Sequence, residues 1–88
     1  MKAIDHQVEN KRFVLTQDGS ECLLEYTLSR TVENQLGDHQ RVNFTHTYVP
    51  SELRGQKLAE QLVNVGLAWA KEQGFQIEAS CSYVRQFL

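Results

Sequence analysis

The sequence predicts an α+β fold with an α/β-like centre: mostly antiparallel strands over 12–17, 21–29 and 42–49, one long helix over 55–73 packed on the sheet, and a parallel strand over 75–80. Two patterns predict it. Apolar residues alternate with polar ones through the strand segments, whereas from 55 to 73 they recur every three or four residues, the spacing of one broad helical face. A strand, a crossover helix of about 19 residues and another strand form a βαβ unit, whose strands lie parallel and whose connection is right-handed.

Met1 to Asn10 is polar, with Ile4 and Val8 as its apolar points, and reads as a loose lead-in. Arg12-Phe13-Val14-Leu15-Thr16 is rich in strand formers, and Asp18-Gly19 after it is the two-residue signal for a tight hairpin with positive φ. In the next segment Cys22, Leu24, Tyr26 and Leu28 alternate with Glu25, Thr27 and Ser29, interrupted by Leu23. From Arg30 to Arg41 the alternation is lost and Glu33, Asn34, Gly37 and Asp38 collect, so a long connection is expected. Alternation resumes over 42–49, with Val42, Phe44, His46 and Tyr48 on one face. Pro50 has no N–H to donate, so the strand should end there.

The helix carries Leu58, Leu62, Val65 and Trp69 interleaved with Ala59, Val63, Gly66, Leu67 and Ala70. Gly74 stands where a left-handed C-terminal cap is wanted, with Phe75 placed to touch back on Ala70. Phe75, Ile77, Ala79 and Cys81 then alternate with Gln76, Glu78 and Ser80 as the last strand. Parallel strands bring their C-terminal ends to one edge, so Val49 and Cys81 should arrive together beside the helix N-terminus, where ligands of α/β sheets commonly bind.

Composition narrows the class of protein. The 88 residues are 41% hydrophobic and include five glycines, the usage of one globular domain, here spanning 1–88, that buries roughly 60 to 65% of its unfolded surface. With 23% charged residues and a net charge of −2, the chain has no footprint for nucleic acid and no basic stripe for a membrane surface. Cys22 and Cys81 lie far apart and no charged-then-apolar leader opens the chain, which points to a cytoplasmic protein with reduced thiols. No apolar run approaches the roughly 20 residues needed to cross a bilayer. No Cys/His spacing is compact enough for structural zinc, so no metal is expected.

Leu53-Arg54-Gly55-Gln56-Lys57-Leu58-Ala59 joins the third strand to the helix, with a glycine that permits close backbone approach and two cations beside it. A helix start leaves four unpaired N–H groups and about half a positive charge, which together attract an anion such as pyrophosphate. Such residues also begin ordinary helices.

The ordered string His46-Thr47-Tyr48-Val49-Pro50, Leu53-Arg54-Gly55, the amphipathic helix and Cys81-Ser82-Tyr83-Val84 resembles the short YjdJ-type branch of the GNAT acetyltransferase superfamily. The likeness extends more loosely back to Phe13 and Leu24-Glu25-Tyr26. It implies a reduced GNAT fold, with acetyl coenzyme A as substrate in the cleft between the two parallel strands and its pyrophosphate on the backbone of Leu53, Arg54, Gly55, Gln56, Lys57 and Leu58. The superfamily pattern runs Gln or Arg, two residues, Gly, one residue, then Gly or Ala; here Glu52 stands first and Lys57 last.

The same resemblance implies acetyl transfer from the thioester to an amine acceptor, with backbone N–H groups near Tyr48 and Val49 polarising the carbonyl. Such transfer needs an acid for the departing thiolate and a neutral amine. Tyr83 occupies the place of the superfamily's acid, and it also reads as packing at the chain end. Cys81 closes the last strand near Arg54 and the helix start, where a depressed thiol pKa would make it an acyl-carrying nucleophile. It also reads as the last small residue of the Phe75, Ile77, Ala79 face. His46 is a candidate general base whose ordinary pKa suits neutral pH, although its strand face favours a buried, hydrogen-bonded ring. His6 and His39 read as solvated, Trp69 as core and Cys22 as inert packing. A binding or regulatory module that keeps the fold without catalysis is the alternative.

Overall fold

The computed structural model describes residues 4–32 and 38–88. The N-terminal residues expected to be a loose lead-in instead form a strand, β1 (Ile4–Gln7), paired antiparallel with β2 (Arg12–Gln17) so that Ile4 faces Leu15 and His6 faces Phe13. His6 takes the inward position that an apolar residue would normally mark. Its ring stacks on Phe13 with centroids 4.0 Å apart, and Nε2 lies 2.7 Å from the Tyr26 hydroxyl oxygen. The expectation of a solvated His6 is therefore corrected: aromatic stacking and one hydrogen bond satisfy both characters of the ring.

β2 turns into β3 (Ser20–Val32) through Asp18 and Gly19, whose φ values of 53° and 79° are those a two-residue hairpin requires. β3 pairs with β4 (Asp38–Tyr48), so much of the stretch read as a connection is strand. Glu33, Asn34 and Gly37 lie outside the described residues, as does the side chain of His39.

The β3–β4 register holds a bulge that the alternation does not reveal. Tyr26 faces Phe44 but Glu25 faces His46, leaving Thr45 as an extra residue of β4. An odd insertion exchanges the faces beyond it. Val42 and Phe44 point toward the helix and are fully buried, and past the bulge Thr47, opposite Leu24, takes that side. His46 and Tyr48, opposite Glu25 and Leu23, are turned to the other face.

The helix, α1 (Leu58–Gln73), lies across the inner face. It packs closely because Gly66 has no side chain: a Cβ there would stand 2.8 Å from Leu24 Cδ2 and 3.1 Å from Phe44 Cε1. Leu58, Leu62, Val63 and Ala70 are buried against Leu15, Cys22, Leu24 and Phe44, whereas Val65, at the margin of the apolar stripe, is 39% exposed. Trp69 is half-buried, edge-on to Phe75 at 5.3 Å and tilted on Tyr26 at 5.0 Å. Gly74 has φ 74°, its N–H bonds to Lys71 O, and the Phe75 N–H reaches Ala70 O, the expected cap.

β5 (Gln76–Ala79) then pairs parallel to β4, giving one sheet in the order β1-β2-β3-β4-β5. A short helix, α2 (Ser82–Arg85), follows and buries Val84. The mostly antiparallel sheet with one parallel pair and one long helix agrees with the reduced fold that the resemblance implies. Among the described residues no helix is long and apolar enough to cross a membrane.

Candidate active site

Pairing between β4 and β5 runs from Arg41 with Gln76 to Phe44 with Ala79 and then stops, while β4 continues to Tyr48. The strands part at the bulge, and a few bonds pin the parting point. The Cys81 N–H donates to Phe44 O at 3.1 Å and the Ser80 N–H to Asn43 Oδ1 at 2.9 Å. Arg85 reaches back from α2 to Ala79 O with two N–H groups, each at 3.2 Å.

Cys81 therefore does not close β5; it caps α2 two residues beyond the strand. Its sulfur lies 3.5 Å from the Thr47 hydroxyl oxygen. Burial pushes the thiol up, but hydrogen bonds from the Thr47 hydroxyl and from the N–H groups of Val84, Tyr83 and Thr47 outweigh it, so the net shift is downward. The expected lowering is present, and its cause is corrected: these four donors replace Arg54 and the start of α1.

Arg54 is turned elsewhere. Pro50 ends β4 as expected and starts a 3₁₀ turn over Ser51–Leu53, with Leu53 buried as its anchor. The Arg54 Nε–H donates to Val49 O at 3.1 Å, which folds the cation onto the end of β4. Gly55 and Lys57 both take positive φ, 86° and 61°. That geometry delays α1 to Leu58, three residues later than the spacing suggests, because a left-handed residue cannot continue a right-handed helix. No side chain caps this end, so the first-turn N–H groups are left for solvent or an anion.

The loop, the helix start and Tyr83 enclose a pocket of about 310 Å³. Seven of its lining residues are those assigned to the site from the sequence, Val49, Leu53, Arg54, Gly55, Lys57, Leu58 and Tyr83; Ala59 and Glu60 were given no such role. Tyr48, Gln56 and Cys81 stand outside the lining, Cys81 two residues before Tyr83. The Tyr48 side chain, 46% exposed, faces away from α1 beyond the bulge, and Gln56 Oε1 accepts a hydrogen bond from Gln17 Nε2. Glu52 is likewise drawn off, accepting from the Ser20 hydroxyl at 2.9 Å. Burial raises the pKa of Tyr83, and the Glu60 carboxylate adds to it, so the phenol is held protonated at neutral pH.

His46 is not brought to the pocket. The expected buried ring is exposed on the outer face opposite Glu25, because the bulge at Thr45 separates it from Val42 and Phe44. Thr47 and Asn43 also escaped sequence reasoning. Both fall among ordinary polar strand positions, and only the register shows what they touch.

Comparison with known proteins bears on this geometry. A family model described as GCN5-related N-acetyl-transferase matches residues 12–88. The chain is also similar to Protein NATD1 of Danio rerio, with 25% identity over 89 residues covering 97% of this chain and 72% of that relative.

Proposed function

Because the chain belongs to the GCN5-related N-acetyltransferase family, whose domains generally use acetyl coenzyme A, we propose that it binds this thioester and passes the acetyl group to an amine. The observation that carries the reading is the uncapped start of α1, preceded by two positive-φ residues and facing Tyr83 across one pocket beside the parting of β4 and β5. We further assign the chain to the short YjdJ-type branch, acting as one domain in the cytoplasm.

In this reading the backbone of Leu53 to Leu58 holds the pyrophosphate, with Arg54 and Lys57 adding positive charge. N–H groups near Tyr48 and Val49 stabilise charge developing on the thioester oxygen. The Cys81 thiolate attacks the carbonyl carbon, the carbon–sulfur bond to the coenzyme breaks, and the departing thiolate takes the Tyr83 proton. A neutral amine then attacks the acetyl-cysteine, its surplus proton returns to the Tyr83 oxygen, and the Cys81 thiolate is restored. His46, on the outer face, is assigned no proton transfer.

A second reading is a module that binds the coenzyme without turnover. Lys57 favours it, standing where the superfamily keeps a small residue, together with Glu60, whose carboxylate opposes an anion in the same pocket. Calorimetric titration with coenzyme A tests both: absence of binding at millimolar ligand overturns them together. Labelled acetyl transfer to an amine panel separates them, and full turnover by Cys81→Ala would replace the covalent step with direct attack by the amine.

A further inference from the structure

Glu52 and Gln56, which bracket Leu53, Arg54 and Gly55 in the anion loop, are both held by one distant element. The Ser20 hydroxyl donates to Glu52 Oε1 at 2.9 Å, and Gln17 Nε2 donates to Gln56 Oε1 at 2.5 Å. Ser20 and Gln17 face each other as the last pair of the β2–β3 hairpin, closed by the positive-φ turn at Asp18-Gly19. We propose that this hairpin tip is a splint for the anion loop, with Ser20 and Gln17 as positioning residues that set the loop's shape and turn the Glu52 carboxylate out of the pocket.

The loop needs such support. Positive φ at Lys57, a residue with a Cβ, is a sparsely populated backbone state that persists only where surroundings impose it. No side chain caps the start of α1, and among the described residues the Arg54 side chain adds one further tether, to Val49 O. Charge gives a second reason. Glu52 is the carboxylate nearest in sequence to Gly55, it occupies the first position of the superfamily pattern, and a phosphate beside it would be repelled. Hydrogen bonds from its own N–H, the Ser20 hydroxyl and the Ser51 hydroxyl hold it ionised, and it lies outside the pocket lining. The hairpin thus satisfies the carboxylate at a point where it does not oppose the ligand.

This inference rests on the proposed coenzyme site for its consequence, but not for its geometry. Ser20→Ala removes the donor, and Glu52→Gln keeps an acceptor for Ser20 while deleting the charge. Amide exchange by NMR on the unliganded chain is expected to quicken at least fivefold at residues 53–58 in Ser20→Ala, to stay near native in Glu52→Gln, and to be unchanged through β1 and the second half of α1. Coenzyme A should bind Ser20→Ala about fivefold more weakly, and Glu52→Gln at least as tightly as the native chain. Loop exchange within twofold of native in Ser20→Ala overturns the splint, as does quickening spread evenly over the chain. Local quickening with unchanged coenzyme affinity overturns the positioning role. If the native chain binds no coenzyme A, the functional reading falls and the exchange result alone decides the splint.

Discussion

The Cys81 sulfur and the Thr47 hydroxyl oxygen stand 3.5 Å apart, just beyond the last paired residues of β4 and β5. A hydroxyl at that distance stabilises a thiolate more than a thiol, since hydrogen bonds to charged acceptors are the stronger kind. Thr47→Val keeps the shape and removes the donor. The Cys81 titration, followed by thiolate absorbance or by the pH dependence of alkylation, should move to higher pH, with slower alkylation at neutral pH. An unmoved midpoint would remove Thr47 from the account of Cys81 reactivity.

His6 makes folding sensitive to mild acid. Burial lowers its pKa below the ordinary 6.5, against a smaller upward pull from Asp5. A group depressed in the folded state binds its proton more readily when unfolded, so its share of stability is complete above 6.5 and lost as pH falls through the folded value. Urea midpoints of the native chain should therefore drop between about pH 7.5 and 5.5, and His6→Phe should flatten that dependence. Equal pH slopes for the two chains would contradict it.

Lys57→Gly separates strain from binding. Glycine removes the Cβ penalty at φ 61°, and after its own unfolded-chain entropy the net gain should be about 0.5–1 kcal/mol in denaturant unfolding. The same change deletes a cation beside the anion pocket and should weaken coenzyme A binding about threefold. Loss of stability in this variant would mean that the left-handed turn is not strained.

Gly66→Val tests the approach of α1 to the sheet. The added carbons meet Leu24 and Phe44 at less than ordinary contact distance, which should cost about 2–3 kcal/mol through overpacking and the β-branch. A variant as stable as the native chain would show that the helix can lift without loss.

What the sequence disclosed and what it concealed differ in kind. A half-buried strand and a one-faced helix write their periods into the chain, so β2, β3, β4, β5 and α1 were legible, as was the Gly74 cap. β1 was not, because one of its two inward residues, Ile4 and His6, is a histidine. The bulge was invisible since Asn43, Thr45 and Thr47 are all polar, and one unpaired residue exchanges faces without altering the text. The anion loop was readable as a local string of glycine and cations. Its hold on Gln17 and Ser20, more than thirty residues away, was not, nor was the release of Cys81 from any dependence on Arg54.

The chain has a single tryptophan, and Trp69 sits among His6, Tyr26 and Phe75, eleven residues and so about 16 Å along the helix axis from Leu58. Its emission is therefore a built-in gauge of the joint between helix and sheet, well removed from the ligand pocket. A fluorescence change on adding coenzyme would register the whole helix shifting on its bed rather than quenching by the ligand itself.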